Sequence, residues 1–575
     1  ALWVFCFEPL TDVHKVKSQL SPNAVVRRQT EVVFSYHERT KHHPNRYARA
    51  LGYLDWDTQP DPFRYFEGAC VIPLDEVAPG PEPSYDAVLG TDIIAPRPVN
   101  HTTISQLFYD SLALSAWKSI GTARWSLRVN PSSGDLHPTE GYLIAGPIER
   151  LSEQGGVYHY APYQHALEKR FVLSEQTWNL LVRDLPAGAF LVGVTSIYWR
   201  ESWKYGERAF RYCQHDVGHA IAAITIAARV LGWRAVLLEQ PADTSIAGLL
   251  GINRQSGIEA EHPDCLIAIW PCDVTDDDGF CRTWGVSQEV LEGLAALVPA
   301  GVPNQLSEDH QPWEVIDNVS EAATKLKMPD DNCWFRNNTI TGFHEPQYAA
   351  LSARRIIRQR RSALAMDGYT YIGRDTFYRL MQSVTPAANS AVFRMVPWRP
   401  CVHLAVFVHR VRNLAPGLYL LVREQVATEL LKESLSDEFV WFKPEGCPSN
   451  VALYQLKTGD YRAVSKVVSC HQDIASDGAF SLGMLAEFEM PVSQHGAWFY
   501  KRLFWETGVI GQVLYLEAEA AGIRSTGIGC FFDDVMHRLL DIKGLKLQSL
   551  YHFTVGSPVE DPRLRSEPAY AHLAS

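Results

Sequence analysis

Two stretches dominate the pattern of apolar and polar positions along the chain. Residues 503–523, LFWETGVIGQVLYLEAEAAGI, and residues 213–233, CQHDVGHAIAAITIAARVLGW, are apolar on more than one face at helical spacing, which predicts two long, centrally buried helices. Each ends at a glycine, Gly522 or Gly232, suited to a left-handed helix terminus. Residues 403–411, HLAVFVHRV, and 417–422, GLYLLV, read as paired strands around a turn at Pro416-Gly417. The TGIG at 526–529 begins a strand or loop whose backbone can approach a flat ligand closely. The reading is α+β.

The two helical stretches belong to an internal repeat. Segments 215–252 and 505–542 agree without a gap at eight of 38 positions, pairing Gly218 with Gly508, Ala228 with Ala518, Gly232 with Gly522, Arg234 with Arg524 and Asp243 with Asp533. In this pairing Gly527 and Gly529 fall opposite Leu237 and Glu239. A second pair supports it: GVYHYAPYQHALE at 156–168 resembles GLYLLVREQVATE at 417–429. The polar, proline- and asparagine-rich residues 300–344 read as a linker between a first half, 1–299, and a second half, 345–575. The first half carries an N-terminal extension whose residues 57–83 are expected to be too rich in proline for regular structure.

Composition narrows the class. A chain of 575 residues is too long for one core, and 46% hydrophobic with 21% charged residues is an ordinary globular balance. The net charge of −12 argues against a nucleic-acid surface. No apolar run reaches the roughly 18 residues of a spanning helix, so no membrane partner is expected. Eleven cysteines without a CxxC pair fit free thiols in a reducing, cytoplasmic setting. Cys265, Cys272 and Cys281 fit no common zinc spacing, and no metal is expected. The opening ALWVFCF lacks the basic flank of a signal peptide and an initiator Met, so the true N-terminus is expected to lie elsewhere.

Five motifs then become recognisable: RQRRSALAMDG (358–368), NPSSGDLHPTEGYL (130–143), WKYGERAFRY (203–212), STGIGCFFDD (525–534) and HFTVGSPVEDPRLR (552–565). In this order they resemble the FMN-dependent nitroreductase superfamily, and the whole chain resembles its thiazole/oxazole-forming, SagB-type dehydrogenase branch in tandem form. The resemblance implies two tandem nitroreductase-like α/β sandwich domains forming an intrachain pseudo-dimer, with flavin clefts between the halves. One cleft would combine Arg360, Arg361, Ser362, Gly527, Ile528, Gly529 and Arg563 or Arg565 from the second half with Pro131, Ser132, Ser133 and Gly134 from the first. The other would combine first-half elements with TPAANS (385–390), but there Pro-Ser-Ser has become Pro386-Ala387-Ala388 and Gly-x-Gly has become Leu237-Leu238-Glu239. Both losses fall in one cleft, so one FMN per chain is expected. Lys204 and Tyr205 match the branch's Lys-Tyr pair associated with catalysis. Leu364 stands where the family often has a further basic residue after Arg-x-Ser.

Elementary chemistry supports the same cleft. A phosphate dianion needs convergent, permanently charged donors, which Arg360, Arg361 and Arg563 supply. Ser132, Ser133 and Ser362 offer hydroxyls for a ribityl chain or ring carbonyls. Glycines at 527 and 529 let backbone N–H groups reach a ring edge. Oxidising an azoline ring means moving a proton from carbon to a base, here a lysine or a tyrosine, and a hydride to the flavin. Each motif has a plainer alternative: a solvated helix face for RQRR, a strand start for TGIG, a turn for PSSG, a helix start with a packing Tyr for WKYG. Their family order is what favours a cofactor site.

Other features carry less. His215 and His219 lie four apart on one helix face, but the HExxH glutamate is missing, and structural or substrate-lining roles are expected. His42 and His43 read as loop residues, Arg39-Thr40-Lys41 as the first half's worn phosphate element, and DVTDDDG (273–279) as solvated loop. Two functional classes remain. One is an FMN oxidoreductase, either a SagB-type dehydrogenase acting on a heterocycle, peptide or small molecule, or an NAD(P)H-dependent nitro/quinone reductase. The other is a non-catalytic flavin-binding scaffold of a biosynthetic complex. No Rossmann-type nicotinamide fingerprint is present, so NAD(P)H would bind only transiently over the flavin. A cyclodehydratase is the expected protein partner.

Overall fold

The computed structural model describes residues 22–90, 92–272, 284–326, 347–386 and 391–573. The expectations for ALWVFCF, Cys281, the 273–279 run and Ala387–Ser390 lie outside these residues.

The helical periodicity reads out as two 22-residue helices, Ala209–Val230 and Phe499–Ala520. They pack against each other at the centre of the molecule. Every residue of the first except Arg229, and of the second except Glu519, is buried, as a helix apolar on all sides requires. Both are followed by glycines in the left-handed region, Gly232 at φ 70° and Gly522 at φ 72°. They cross where Gly218 meets Gly508, so two residues paired by sequence repetition are also in contact.

Each helix is followed by an edge strand of its own antiparallel sheet. The first sheet has seven strands in the order Cys70–Pro73, Ala166–Leu173, Gly155–Ala161, Thr139–Ala145, Phe190–Ser196, His262–Pro271 and Trp233–Leu237. The second has six: Leu453–Thr458, Gly417–Leu421, Val402–Val408, Phe480–Glu487, Leu547–Gly556 and Arg524–Ile528. Leaving out Cys70–Pro73, the two orders match strand for strand. The Gly-x-Tyr elements occupy the same place in each, and Val402–Val408 pairs antiparallel with Gly417–Leu421 as the turn predicts. The matching bulges, at Pro263/Cys265 and at Ser549/Tyr551, put Cys265 in the place of Tyr551. The fold is α+β, with two sheet-and-helix halves of one plan.

One expectation about an irregular region needs correction. The proline-rich stretch 57–83 supplies Cys70–Pro73, which adds to the first sheet as an edge strand. Pro73 is tolerated there because an edge strand has one unpaired side. The polar stretch 300–344 is also partly regular: Val302–Pro303 pairs with Phe66–Glu67, and Glu314–Ala322 is a helix burying Ile316, Val319 and Ala322.

The halves also exchange chain. Arg565–Glu567, near the C-terminus, pairs with Leu114–Ile120 of the first half and extends the hairpin it forms with Ala123–Arg128. The helix Pro22–Arg39 of the extension reaches the second half, where His37 contacts Tyr500 and Gln548 at 3.2 Å each. Among the described residues no helix is long and apolar enough to cross a membrane.

Candidate functional site

Residues 131–135 form a tight loop between the strands Ala123–Arg128 and Thr139–Ala145. Gly134, at φ 64°, makes the turn. The loop is fastened to the first central helix: Ser133 N–H donates to both carboxylate oxygens of Asp216 at 3.2 Å, and the Ser133 hydroxyl donates to the same group at 3.3 Å. Ser132 Oγ accepts from His137 N–H at 2.8 Å. Both serines therefore already serve the loop itself. A Cβ on Gly134 would lie 2.5 Å from Tyr205 Oη and 2.9 Å from Lys204 Nζ, so the Lys-Tyr pair converges on this glycine.

From the second half comes Arg360-Arg361-Ser362, directly after the helix Ala353–Gln359. Ala363 N–H donates to Ser525 O at 3.1 Å, which sets the segment beside the strand Arg524–Ile528. Arg360 is buried over the Tyr515 ring, 4.9 Å from its centroid, and its Nη2 donates to Arg128 O. Its Nε and Nη1 are buried with no partner in the protein. Arg361 donates to the carbonyls of Arg358, Arg360 and Ser115 at 2.6–2.8 Å. Burial pushes its guanidinium down to about 10.

These pieces enclose one cavity of about 360 Å³. Pro131, Ser132, Ser133, Gly134 and Tyr205 line it from the first half, and Arg360, Arg361, Ser362, Gly527, Ile528 and Gly529 from the second. Lys204 is not part of the lining and reaches the site only through its approach to Gly134.

The glycines act differently from the expectation. Neither Gly527 nor Gly529 has positive φ. A Cβ on Gly527 would lie 1.9 Å from Tyr551 Oη, and one on Gly529 2.1 Å from Tyr212 Cε1, so each makes room for a tyrosine on the cavity wall. The Gly527 N–H donates to Tyr515 Oη at 2.9 Å, which in turn contacts Ser362 Oγ at 2.9 Å. This N–H is thus engaged within the protein.

Arg563 and Arg565 are not brought to the cavity. Arg563 is exposed and paired with Asp561 at 2.7 Å, and Arg565 lies on the exposed strand that joins the first half. Both side chains are exposed, Arg563 in the turn before that strand and Arg565 at its start, and Leu564 between them lines the wall. The cations that line this end are Lys118 and Arg524, the latter paired with Glu560 at 2.6 Å. Burial and the nearby Arg361 lower the Lys118 ammonium pKa. Leu364 is exposed at the rim.

Carboxyls beneath the loop are the part that sequence reasoning missed. Burial pushes Asp216 up to about 7 and Asp135 up to about 6. Burial, reinforced by Asp216, raises Glu201 as well, and neither of its oxygens has a partner. Burial also raises Tyr205, so its hydroxyl stays protonated at neutral pH. Tyr205 packs on Tyr212 at 4.5 Å. His219 contacts Gln512 and Tyr551, and His215 contacts Thr507 and stacks on Tyr551 at 4.2 Å. Burial lowers both imidazoles, His219 to about 3. No group of metal-ligating side chains is present among the described residues.

Arg39-Thr40-Lys41 is likewise not a phosphate element. Arg39 pairs with Glu207, Thr40 O accepts from Arg208, and Lys41 pairs with Glu38 and Asp534. His42 N–H donates to Asp533, which also binds Arg208 at 3.0 Å and Arg211 at 2.8 Å. The run anchors the extension to the second half.

Among the described residues, the place corresponding to Gly529 in the other half holds an ion pair. Glu239, which the repeat sets opposite Gly529, pairs with Arg502 at 3.3 Å, and the same offset carried three residues upstream of the repeat sets Arg502 opposite Tyr212. Lys325, from the polar stretch between the halves, donates through Nζ to Glu239 O at 2.8 Å; its backbone N–H donates to Asp243 Oδ2 at 3.0 Å and its carbonyl accepts from Asp243 N–H at 3.0 Å. Asp243 binds Lys501 at 2.8 Å, as its partner Asp533 binds Arg211. A glycine and a tyrosine beside a cavity have become an ion pair sealed by a lysine.

Residues 95–269 match the model of the nitroreductase family. The chain carries a nitroreductase-family domain. That domain includes the 131–135 loop, the Lys-Tyr pair and the first central helix. The putative nitroreductase MJ1384 of Methanocaldococcus jannaschii is 28% identical over 129 residues, 21% of this chain and 63% of that protein. The trifolitoxin-processing protein TfxB of Rhizobium leguminosarum bv. trifolii is 32% identical over 111 residues, 18% of this chain and 29% of that protein. The chain thus spans less than two thirds of either relative. A putative nitroreductase structure from Anabaena variabilis superposes with a TM-score of 0.66 at 20% identity, covering 92% of this chain and 99% of its own. This neighbour shares the nitroreductase fold across both halves.

Proposed function

We propose that this chain is an FMN-dependent oxidoreductase that binds one FMN in the composite cavity, and that its two halves act as an intrachain pseudo-dimer. The observation that carries the reading is Arg360: a buried guanidinium with two unpartnered N–H-bearing nitrogens, in a cavity walled by tyrosines from both halves. Such a group calls for an anionic or carbonyl acceptor on a flat, partly aromatic ligand. The donor set fits FMN: Arg360, Arg361, Lys118 and Arg524 would hold the phosphate or ring oxygens, and Tyr212 and Tyr551 would wall the ring. When bound, FMN supplies a two-electron acceptor.

The finer reading is a SagB-type dehydrogenase that oxidises a heterocycle in a peptide or small molecule. Lys204 would take the substrate proton, and Tyr205 would donate a hydrogen bond to orient the substrate. The likeness to a trifolitoxin-processing protein supports a peptide-derived substrate, and a cyclodehydratase is the partner that the SagB-type resemblance implies. The test is turnover of an azoline-containing peptide by purified, flavin-loaded protein. Lys204→Ala protein that keeps its flavin and loses azole formation supports the assignment. Unchanged turnover contradicts it.

A further inference from the structure

Cys530 directly follows Gly529 and lines the cavity. Cys470 lies on the neighbouring loop, close enough for the two thiols to interact, and Gln472 Nε2 bridges Ser469 O at 2.9 Å and Cys530 O at 3.0 Å. A further hydrogen bond staples the loops around them: Phe532 N–H donates to Val468 O at 2.8 Å. Cys470 and the next residue, His471, both hold left-handed backbone, φ 53° and φ 60°. Two successive non-glycine residues there are strained, and such strain persists only where the surroundings impose it. Both thiols are half-buried, so a small reagent can reach them from the cavity or its rim.

We propose that Cys470 and Cys530 are a redox-active dithiol that closes into a reversible disulfide on the cavity wall, by exchange with a low-molecular-weight disulfide of the glutathione class. The inference does not rest on the flavin reading. Cys530 is the attacking sulfur. Contact with Cys470 and the nearby Arg208 guanidinium, which donates to the adjacent Gly529 O at 3.4 Å, act against burial to hold its thiol below the ordinary range, while the same contact raises Cys470. The Cys530 thiolate attacks one sulfur of oxidised glutathione, breaking its S–S bond and releasing one glutathione thiolate. Cys470, giving up its proton, then attacks the Cys530 sulfur of the mixed disulfide and releases the second. Two protein thiols are oxidised by two electrons and one small disulfide is reduced to two thiols. Closure ties the 469–472 loop, with the wall residue Gln472, covalently to the segment after Gly529, so the redox state is coupled to the shape of the cavity.

The test uses the full chain equilibrated in glutathione buffers of increasing oxidised fraction, acid-quenched, alkylated and mapped by peptide mass spectrometry. The expected result is a cross-linked peptide joining Cys470 to Cys530, two hydrogens lighter than the reduced pair and restored by dithiothreitol. Cys470→Ser should arrest the exchange as a stable glutathione adduct on Cys530. Cys530→Ser should leave Cys470 unmodified under the same conditions, and circular dichroism verifies that both variants fold. Absence of the cross-link at every ratio, or an adduct that forms on Cys470 first, overturns the proposal.

Discussion

Gly218 and Gly508 face each other where the two central helices cross: a Cβ on Gly218 would lie 2.9 Å from Gly508 Cα, and one on Gly508 2.7 Å from Gly218 Cα. Each would also lie 2.3 Å from a backbone carbonyl of the other helix, Trp505 O or His215 O. The sequence pairs these glycines as equivalent positions of a repeat, and the structure places them in contact. A residue that touches its own equivalent is what the proposed pseudo-dimer requires at its axis, and this contact limits how closely the two helices pack.

Gly218→Ala and Gly508→Ala should therefore each destabilise the chain, although alanine is the better helix former. The added methyl has no room between two backbones, and overpacking of this kind costs about 1–3 kcal/mol. Urea denaturation measures it. A Gly218→Ala protein as stable as the wild type would show that the helices are free to separate at this point.

The Gly529/Tyr212 and Glu239/Arg502 pairs predict a coupled effect. Gly529→Glu alone forces its side chain into the Tyr212 ring, which offers no counter-charge in the place where Arg502 meets Glu239. An uncompensated buried charge costs about 3–5 kcal/mol. The double variant Gly529→Glu/Tyr212→Arg reproduces the ion pair of the other half. It should regain most of the lost thermal stability but bind no flavin. Equal stability of the single and double variants would deny the equivalence of the two places.

How far the sequence revealed this arrangement depends on whether a feature is local. The central helices, the paired strands and the repeat were legible because apolar periodicity and glycine placement are written in consecutive residues. Pro131–Gly134 and Arg360–Ser362 were legible as short motifs and do line one cavity. Tyr212, Tyr515, Tyr551 and Asp216 were not, because each stands alone on a helix or strand and gains meaning only from a partner far along the chain. One signal was present: at the repeat's offset Tyr212 falls opposite Arg502, a change in step with Gly529 against Glu239. Arg563 and Arg565 were misplaced because the C-terminal strand crosses to the other half, a long-range pairing that no local pattern encodes.

The phosphate assignment separates two arginines. Arg360→Ala removes a buried donor of the cavity and should weaken FMN binding by about 1.5–3 kcal/mol, the range for a charge-assisted hydrogen bond. Arg563→Ala alters only an exposed pair with Asp561 and should leave FMN affinity unchanged. Fluorescence quenching titrations with FMN measure both.

Asp216 predicts a pH dependence of the flavin-free protein. Its carboxyl is pushed up to about 7 by burial, so the folded state binds this proton more tightly than the unfolded chain. Stability from this group is full below the ordinary carboxylate range, near pH 4, and is lost as pH rises towards about 7. Asp216→Asn removes that titration, so its stability should fall less steeply than wild type across this window. Denaturation midpoints measured through the window should converge on the wild-type curve at the acid end; parallel curves would contradict the buried, protonated state.

The central claim is that one cleft holds the cofactor and the other is sealed by Glu239, Arg502 and Lys325. Flavin released by acid from purified full-length protein, saturated with FMN and freed of excess, measures it directly against protein concentration. The account predicts one FMN per chain, lost in Gly529→Glu and kept in Glu239→Gln. Two FMN per chain, or one that survives Gly529→Glu, would contradict it.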